Sequence, residues 1–264
     1  MTSNSGRLDP RPLKSVKRFV KRFALRRGLL VRRLPGGRQG DAFSDQAALL
    51  SERDVGTILD VGAYVGETAI IYRRLFPMAT VHCFEPVPES FDRLSSMLSG
   101  DPLTIVNALA IGDRTQPVEL HVNRSAFTSS TMSPAPDVSA YLSQEHFEEV
   151  ATHRAESTTI DRYCAERGID HVDVLKLDIQ GGERAALRGA TKMLSREAIS
   201  LIYTELLIAP MYEGQGSIGD ILGFCEGQGY RLYGLYNFAY GADTRLYQVD
   251  AILLSPRFTH ATRD

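Results

Sequence analysis

Cysteine is scarce in this 264-residue chain: Cys83, Cys164 and Cys225 fall in no Cys-x-x-Cys or zinc-type spacing, and an odd three cannot pair off into a disulfide framework. Free thiols in a reducing cytoplasm are the expectation. Long apolar runs are also missing. None approaches the roughly 20 residues needed to span a bilayer, and the N-terminal residues lack the apolar stretch of a secretory signal. The sequence therefore predicts a protein that stays in the compartment where it is made. The turn that follows the first apolar strand lacks Gly-x-Gly-x-x-Gly, the pattern that cradles a pyrophosphate on a helix N-terminus, and no Tyr-x-x-x-Lys pair occurs in the chain. Both absences weaken a nicotinamide-dependent oxidoreductase.

The net charge of −2 conceals an uneven distribution. Residues 1–40 carry 12 Lys and Arg against one acid, Asp9, while the rest holds 18 bases against 31 acids. An acidic body does not grip a polyanion, which excludes nucleic acid as a partner on electrostatic grounds. At about 100° per residue, Leu13, Val16, Phe19, Val20, Phe23, Ala24, Leu30 and Leu34 project onto one arc of a helix, with Arg27 as an intruder. Lys14, Lys17, Arg18, Lys21, Arg22, Arg26, Arg32 and Arg33 project onto the other. Such a segment either lies in an anionic membrane surface, making the protein peripheral, or packs on the domain or extends as a basic arm. Pro35-Gly-Gly37 ends it as a linker. The organisation expected is a basic segment over 1–40 and one domain over 41–264.

Strand and helix patterns then alternate. Apolar strands are predicted at 58–61, 80–85, 104–111, 117–123, 172–178, 199–205, 230–236 and 247–254, and helices at 66–76, 88–98, 160–167, 183–194 and 218–228. Residues 124–156 are rich in Ser, Thr and Pro, with a short helix predicted at 138–149. A long, weakly patterned insertion reads as a lid. Strands separated by helices argue for an α/β protein whose mostly parallel sheet is covered on both faces, and the last two strands, joined without a helix, for a hairpin that leaves the final strand antiparallel.

The chemistry sits at strand ends. Thr57-Ile-Leu-Asp60-Val-Gly62-Ala-Tyr64-Val-Gly66 runs an apolar strand into a glycine turn, and Glu85 closes the next strand, placed to accept both hydroxyls of a ribose. A ribose acceptor without a pyrophosphate cradle favours S-adenosylmethionine. Asp178 and Glu205 end two later strands. Ligands of open α/β sheets bind beyond the carboxyl ends of the strands, so the four acids point to a common site.

These residues resemble the FkbM family of S-adenosylmethionine-dependent O-methyltransferases over about residues 55–255. The likeness rests on Asp60-Val-Gly-Ala-Tyr-Val-Gly66, Phe84-Glu85-Pro86-Val-Pro88, Asn107-Ala-Leu-Ala-Ile-Gly-Asp113, Thr159-Ile-Asp161, Leu175-Lys-Leu-Asp178-Ile-Gln-Gly181-Gly-Glu183, Tyr203-Thr-Glu205 and Met211-Tyr-Glu-Gly-Gln215. It implies a Rossmann-like class I methyltransferase fold with a seven-stranded sheet. It also implies that Asp60, Gly62, Tyr64 and Gly66 hold the methionine part of the cofactor, Glu85 with Pro86 the ribose, and Asn107-Ala108 the adenine edge. Asp178 would face the methyl group. Tyr64 stands where the family usually has Asn, and Gln180 where it often has Glu.

An alcohol acceptor must lose its proton as the new bond forms, and a base at hydrogen-bond distance is the usual solution. Asp178, Glu205 and His153 are the candidates. Asp178-Ile-Gln-Gly stands where nucleobase amino-methylating enzymes carry Asn/Asp-Pro-Pro-Tyr/Phe, which argues against base modification. The acceptor class implied is a hydroxyl of a sugar, glycolipid or polyketide-like metabolite. Asp178, Glu183 and Glu205 could recruit Mg²⁺, but their spacing is not diagnostic of a metal, and the sequence sets no oligomeric state. A nicotinamide-dependent oxidoreductase and a non-catalytic membrane-associated protein of the same fold are the competing readings.

Overall fold

The computed structural model describes residues 41–125, 128–241 and 244–260. The expected amphipathic helix over 13–34 and its linker lie outside the described residues. The first described element is a helix the sequence pattern does not announce, α1 (Ala42–Leu49), capped by the Asp41 carboxylate, which accepts from the Ser44 N–H at 3.0 Å.

The main sheet contains β1 (Thr57–Val61), β2 (Thr80–Phe84), β3 (Thr104–Asn107), β7 (Val172–Leu177), β8 (Ile199–Leu207), β9 (Arg231–Tyr240) and β10 (Leu246–Leu254). Their order is β3-β2-β1-β7-β8-β10-β9, and only β10 runs antiparallel to its neighbours. Every residue of β7 and β8 is buried, the mark of central strands covered on both faces. One face carries α4 (Ile160–Arg167), α5 (Glu183–Arg188), α6 (Thr191–Ser195) and α7 (Ile218–Gly227). Their Ile160, Leu187, Met193 and Ile221 pack on Leu59, Leu175 and Ile202. The other face carries α1, α2 (Glu67–Leu75), α3 (Pro88–Met97) and α8 (Pro256–His260), with Tyr72, Leu94 and Phe258 over Ile58, Val174 and Leu201. The chain reverses direction across the sheet between β1 and β7, the topological switch where ligands of such sheets bind.

A second, three-stranded sheet has the order β4-β6-β5, built from β4 (Leu109–Ile111), β5 (Gln116–Asn123) and β6 (Glu149–Thr158). It corrects three expectations. The single strand predicted over 104–111 is two strands in different sheets, because the chain leaves the main sheet after Asn107. Residues 149–156, assigned to the lid, form most of β6; the strand is exposed along much of its length, so it shows no buried stripe to read. The helix predicted at 138–149 is two short 3₁₀ turns, Val138–Ala140 and Gln144–Phe147.

The helix predicted over 183–194 is also divided. Gly189 lies against Gly112, where an added Cβ would come within 2.1 Å of the Gly112 carbonyl oxygen. The Asp161 carboxylate then caps the new helix α6 through the Lys192 and Met193 N–H groups, both at 2.9 Å. The remaining part of the inserted segment packs on the end of β8 and the loop after it. Val138 and Phe147 meet Leu207, Met211 and Tyr212 in a small core of their own. None of the described helices is long and apolar enough to cross a membrane.

Candidate active site

The turn after β1 is shaped by its neighbours. Gly62 has φ +77°, and a Cβ there would lie 1.8 Å from the Asp178 carbonyl oxygen, so the ends of β1 and β7 meet with no room for a side chain. Gly62 and Ala63 both donate their N–H to the Phe84 carbonyl at 3.0 Å, which ties the turn to the end of β2. There Glu85 accepts the Tyr64 N–H and the Val87 N–H, each at 2.9 Å. Burial pushes its carboxyl up to about 7, against those two donors.

Beneath the turn, the buried Lys176 ammonium donates to the Gly62 carbonyl at 2.6 Å and lies 3.2 Å from Asp60 Oδ1 and 3.7 Å from Asp178 Oδ2. Burial opposes its charge, but the two carboxylates outweigh that and hold its pKa above the ordinary lysine value. Burial also lifts the Asp60 carboxyl, despite Lys176. The cation therefore joins the glycine turn to the end of β7.

Beyond β7 the loop 178–182 is held by Glu183, whose carboxylate accepts the Ile179 N–H at 2.9 Å and the Gly181 N–H at 3.0 Å. Gln180 stands inside this loop. Its Nε2 donates to Asp178 Oδ1 at 3.2 Å and to Glu205 Oε2 at 2.9 Å, while its Oε1 accepts from the Tyr212 hydroxyl at 3.1 Å. Burial, with Asp178 and Glu183 adding to it, pushes the Glu205 carboxyl well above the ordinary glutamate value. The segment after β5 reaches the same loop, since Ser130 Oγ donates to the Gln180 carbonyl at 2.7 Å.

Together these groups enclose a cavity of about 400 Å³, within the range of small-molecule sites. Gly62, Tyr64, Glu85, Pro86, Asp178, Gln180, Glu205 and Tyr247 line it, with apolar surface from Val87, Leu109 and Ile111 and with Ser129, Ser130 and His146 from the inserted segment. No Lys or Arg is among the described residues that line it, a poor setting for a pyrophosphate and a good one for a sulfonium cation. The spacing Gly214-Gln-Gly216-Ser-Ile-Gly219 does occur, running into the first turn of α7, but none of those residues lines the cavity.

Six predicted residues thus share the cavity: Gly62, Tyr64, Glu85, Pro86, Asp178 and Glu205. Five do not line it. Asp60 is fully buried beneath the turn, and a Cβ on Gly66 would point at Leu94 and Leu98 of the α3 region. Asn107 turns its amide away, donating to the Cys83 carbonyl at 3.0 Å and accepting from the Tyr163 hydroxyl at 3.3 Å. Ala108 is exposed. The residues that follow them, Leu109, Ala110 and Ile111, do line it. His153 lies on β6 opposite Leu120, exposed beside a separate shallow groove; the histidine at the cavity is His146. Lys176 escaped notice because a lysine inside an apolar strand carries no sign of the carboxylates that pair with it. Among the described residues, no group of three His, Cys, Asp or Glu side chains is arranged to hold a metal ion.

Comparison with known proteins agrees with this geometry. Residues 60–232 match the model of the methyltransferase FkbM domain. The chain is 28% identical over 185 residues to the 2-O-methyltransferase NoeI of Sinorhizobium fredii, covering 67% of this chain and 74% of that protein. It is 24% identical over 236 residues to the 31-O-demethyl-FK506 methyltransferase FkbM of Streptomyces tacrolimicus, covering 80% and 87%. With the glycine turn, Glu85 and Asp178 gathered at one cavity and the domain model spanning most of the sheet, the chain belongs to the FkbM family of S-adenosylmethionine-dependent methyltransferases.

Proposed function

We propose that this enzyme methylates a hydroxyl of a sugar, glycolipid or polyketide-like metabolite, with Asp178 as general base and Glu205 orienting the acceptor. The coarser activity, S-adenosylmethionine-dependent O-methyl transfer, accords with the family and with two relatives named for transfer to oxygen. The observation that carries the finer reading is that Glu85 and Asp178, at the ends of the two strands that flank β1, line one cavity together with Gly62. The residues present fit the cofactor. Glu85 would take the ribose hydroxyls, the Gly62–Tyr64 backbone the methionine part, and Val87, Leu109 and Ile111 the flat faces of the adenine.

When bound, the sulfonium supplies an electrophilic methyl group and departs as a neutral thioether. Asp178 would accept the proton that the acceptor hydroxyl gives up when it takes the methyl group. Glu205 orients a second oxygen of the acceptor. The lid excludes water, so that positioning supplies much of the rate.

Transfer of label from methyl-labelled S-adenosylmethionine to a panel of methyl glycosides and macrolide polyols tests the reading. Labelling of a glycoside or polyol by wild type, lost in Asp178→Asn with cofactor affinity kept within severalfold, is the expected result. Full activity of Asp178→Asn would move the base elsewhere. Calorimetry with S-adenosylhomocysteine and with NAD separates this reading from an oxidoreductase. Residues 13–34 are proposed to seat the enzyme on anionic membranes, which requires salt-sensitive co-sedimentation with phosphatidylserine vesicles.

A further inference from the structure

Gln180 occupies an unusual place in the site. It is not glycine, yet its φ is +53°, a backbone conformation that side chains rarely adopt. The surroundings hold it there from every side. Glu183 takes the N–H groups before and after it, Ser130 takes its carbonyl, and Tyr212 takes its side-chain oxygen. A strained residue persists only where its neighbours over-determine it, and such residues cluster at functional sites.

The result is an amide with both N–H bonds committed to carboxyls. One goes to Asp178 Oδ1 and one to Glu205 Oε2, and the Tyr212 hydroxyl fixes which end of the amide faces them. With Oδ1 engaged, Asp178 has Oδ2 on the side of Lys176. A glutamate here, as the family often carries, would offer no donor when ionised and would set a third carboxylate beside two others.

We propose that Gln180 is a positioning residue that locks the Asp178 carboxylate in the orientation for proton removal and holds Glu205 in register with it, so that the two address neighbouring oxygens of the acceptor. This rests on Asp178 acting as base. Gln180 itself need not touch the acceptor; it acts through the two carboxyls.

The variants to compare are Gln180→Glu, which keeps the shape but loses the donors, Tyr212→Phe, which frees the amide to turn, and the transposed pair Gln180→Glu with Glu205→Gln. Kinetics use the glycoside or polyol that wild type labels. Gln180→Glu should lower kcat at least 30-fold with acceptor KM and S-adenosylhomocysteine affinity within threefold, and Tyr212→Phe should lower kcat 3- to 10-fold. The transposed pair restores an amide-to-carboxylate bond between positions 180 and 205 and the original charge, but gives Asp178 no donor, so it should stay as slow as Gln180→Glu. Wild-type kcat in either Gln180→Glu or the transposed pair would overturn the proposal.

A second measurement needs no acceptor and remains readable if Gln180→Glu folds poorly. In a crystal structure of Gln180→Ala with S-adenosylhomocysteine, the Asp178 carboxylate should leave its wild-type orientation. An unmoved Asp178 would overturn the positioning role. If wild type labels none of the acceptors, it is the assigned function that fails, and the crystal structure still judges the positioning.

Discussion

At the scale of single residues, the site is a set of carboxyls kept apart in charge by what surrounds them. Glu85 is the one whose chemistry can be tested through pH. Its folded pKa, about 7, lies above the ordinary 4.5. Its contribution to stability is therefore complete below about 4.5 and is lost as pH rises through about 7. Ribose hydroxyls donate to the ionised form and so reverse that loss. S-adenosylhomocysteine should accordingly bind at least about threefold tighter at pH 8 than at pH 6, and its thermal stabilisation should grow over the same window. Affinity that is flat with pH in wild type would remove Glu85 from the ribose. Glu85→Ala should weaken cofactor binding by roughly 2–3 kcal/mol, since two charge-assisted hydrogen bonds disappear.

Lys176 makes the complementary case. Removing one partner of a buried ion pair leaves an uncompensated charge, so Lys176→Met should lower unfolding free energy by about 3–5 kcal/mol. The double variant Asp60→Asn with Lys176→Met leaves no lone charge beneath the turn and should recover much of that loss in denaturant titrations. Equal stability of the single and double variants would mean that Asp60 is not the group that needs the cation.

At the scale of elements, the glycine turn after β1 is dictated by the strand next to it. Gly62 and Gly100 both have positive φ, +77° and +88°, but a Cβ at Gly100 meets nothing within 4 Å while at Gly62 it would overlap the Asp178 carbonyl. Gly100→Ala should cost about 1 kcal/mol, the ordinary price of a left-handed alanine. Gly62→Ala has to push β1 and β7 apart, so it should cost at least about 3 kcal/mol and abolish S-adenosylhomocysteine binding. Similar losses in the two variants would show that conformation alone, and not the close approach of the strands, requires Gly62.

The same scale shows where patterning works. The buried strands β7 and β8 read plainly as apolar runs, and the helices after β1 and β2 are announced by glycine and proline. The strand β6 was hidden because it is exposed over much of its length. The break between α5 and α6 was hidden because its cause, Gly112 packed against Gly189, lies far away in the chain.

At the scale of the whole molecule, residues 40–264 form one compact unit. A chain beginning at Gly40 should therefore fold, with a Tm within about 3 °C of full length and unchanged S-adenosylhomocysteine affinity, while losing any salt-sensitive vesicle binding. A fragment that fails to bind the cofactor would show that the basic segment completes the fold. A fragment that sediments with vesicles as full length does would clear that segment of the anchoring role.

The sequence by itself determined the sheet's alternating plan, the glycine turn and the acids at strand ends, because these depend on local backbone chemistry and on burial along one strand. Gly62, Glu85, Asp178 and Glu205 could be named from it for that reason. Only the tertiary structure decided that Asn107 turns into the packing around Tyr163, that His146 and not His153 reaches the cavity, and that Lys176 and Gln180 bind the acids into one network. Each of those outcomes depends on groups distant in the chain meeting at hydrogen-bond range, and no periodicity within a segment records which partners will arrive.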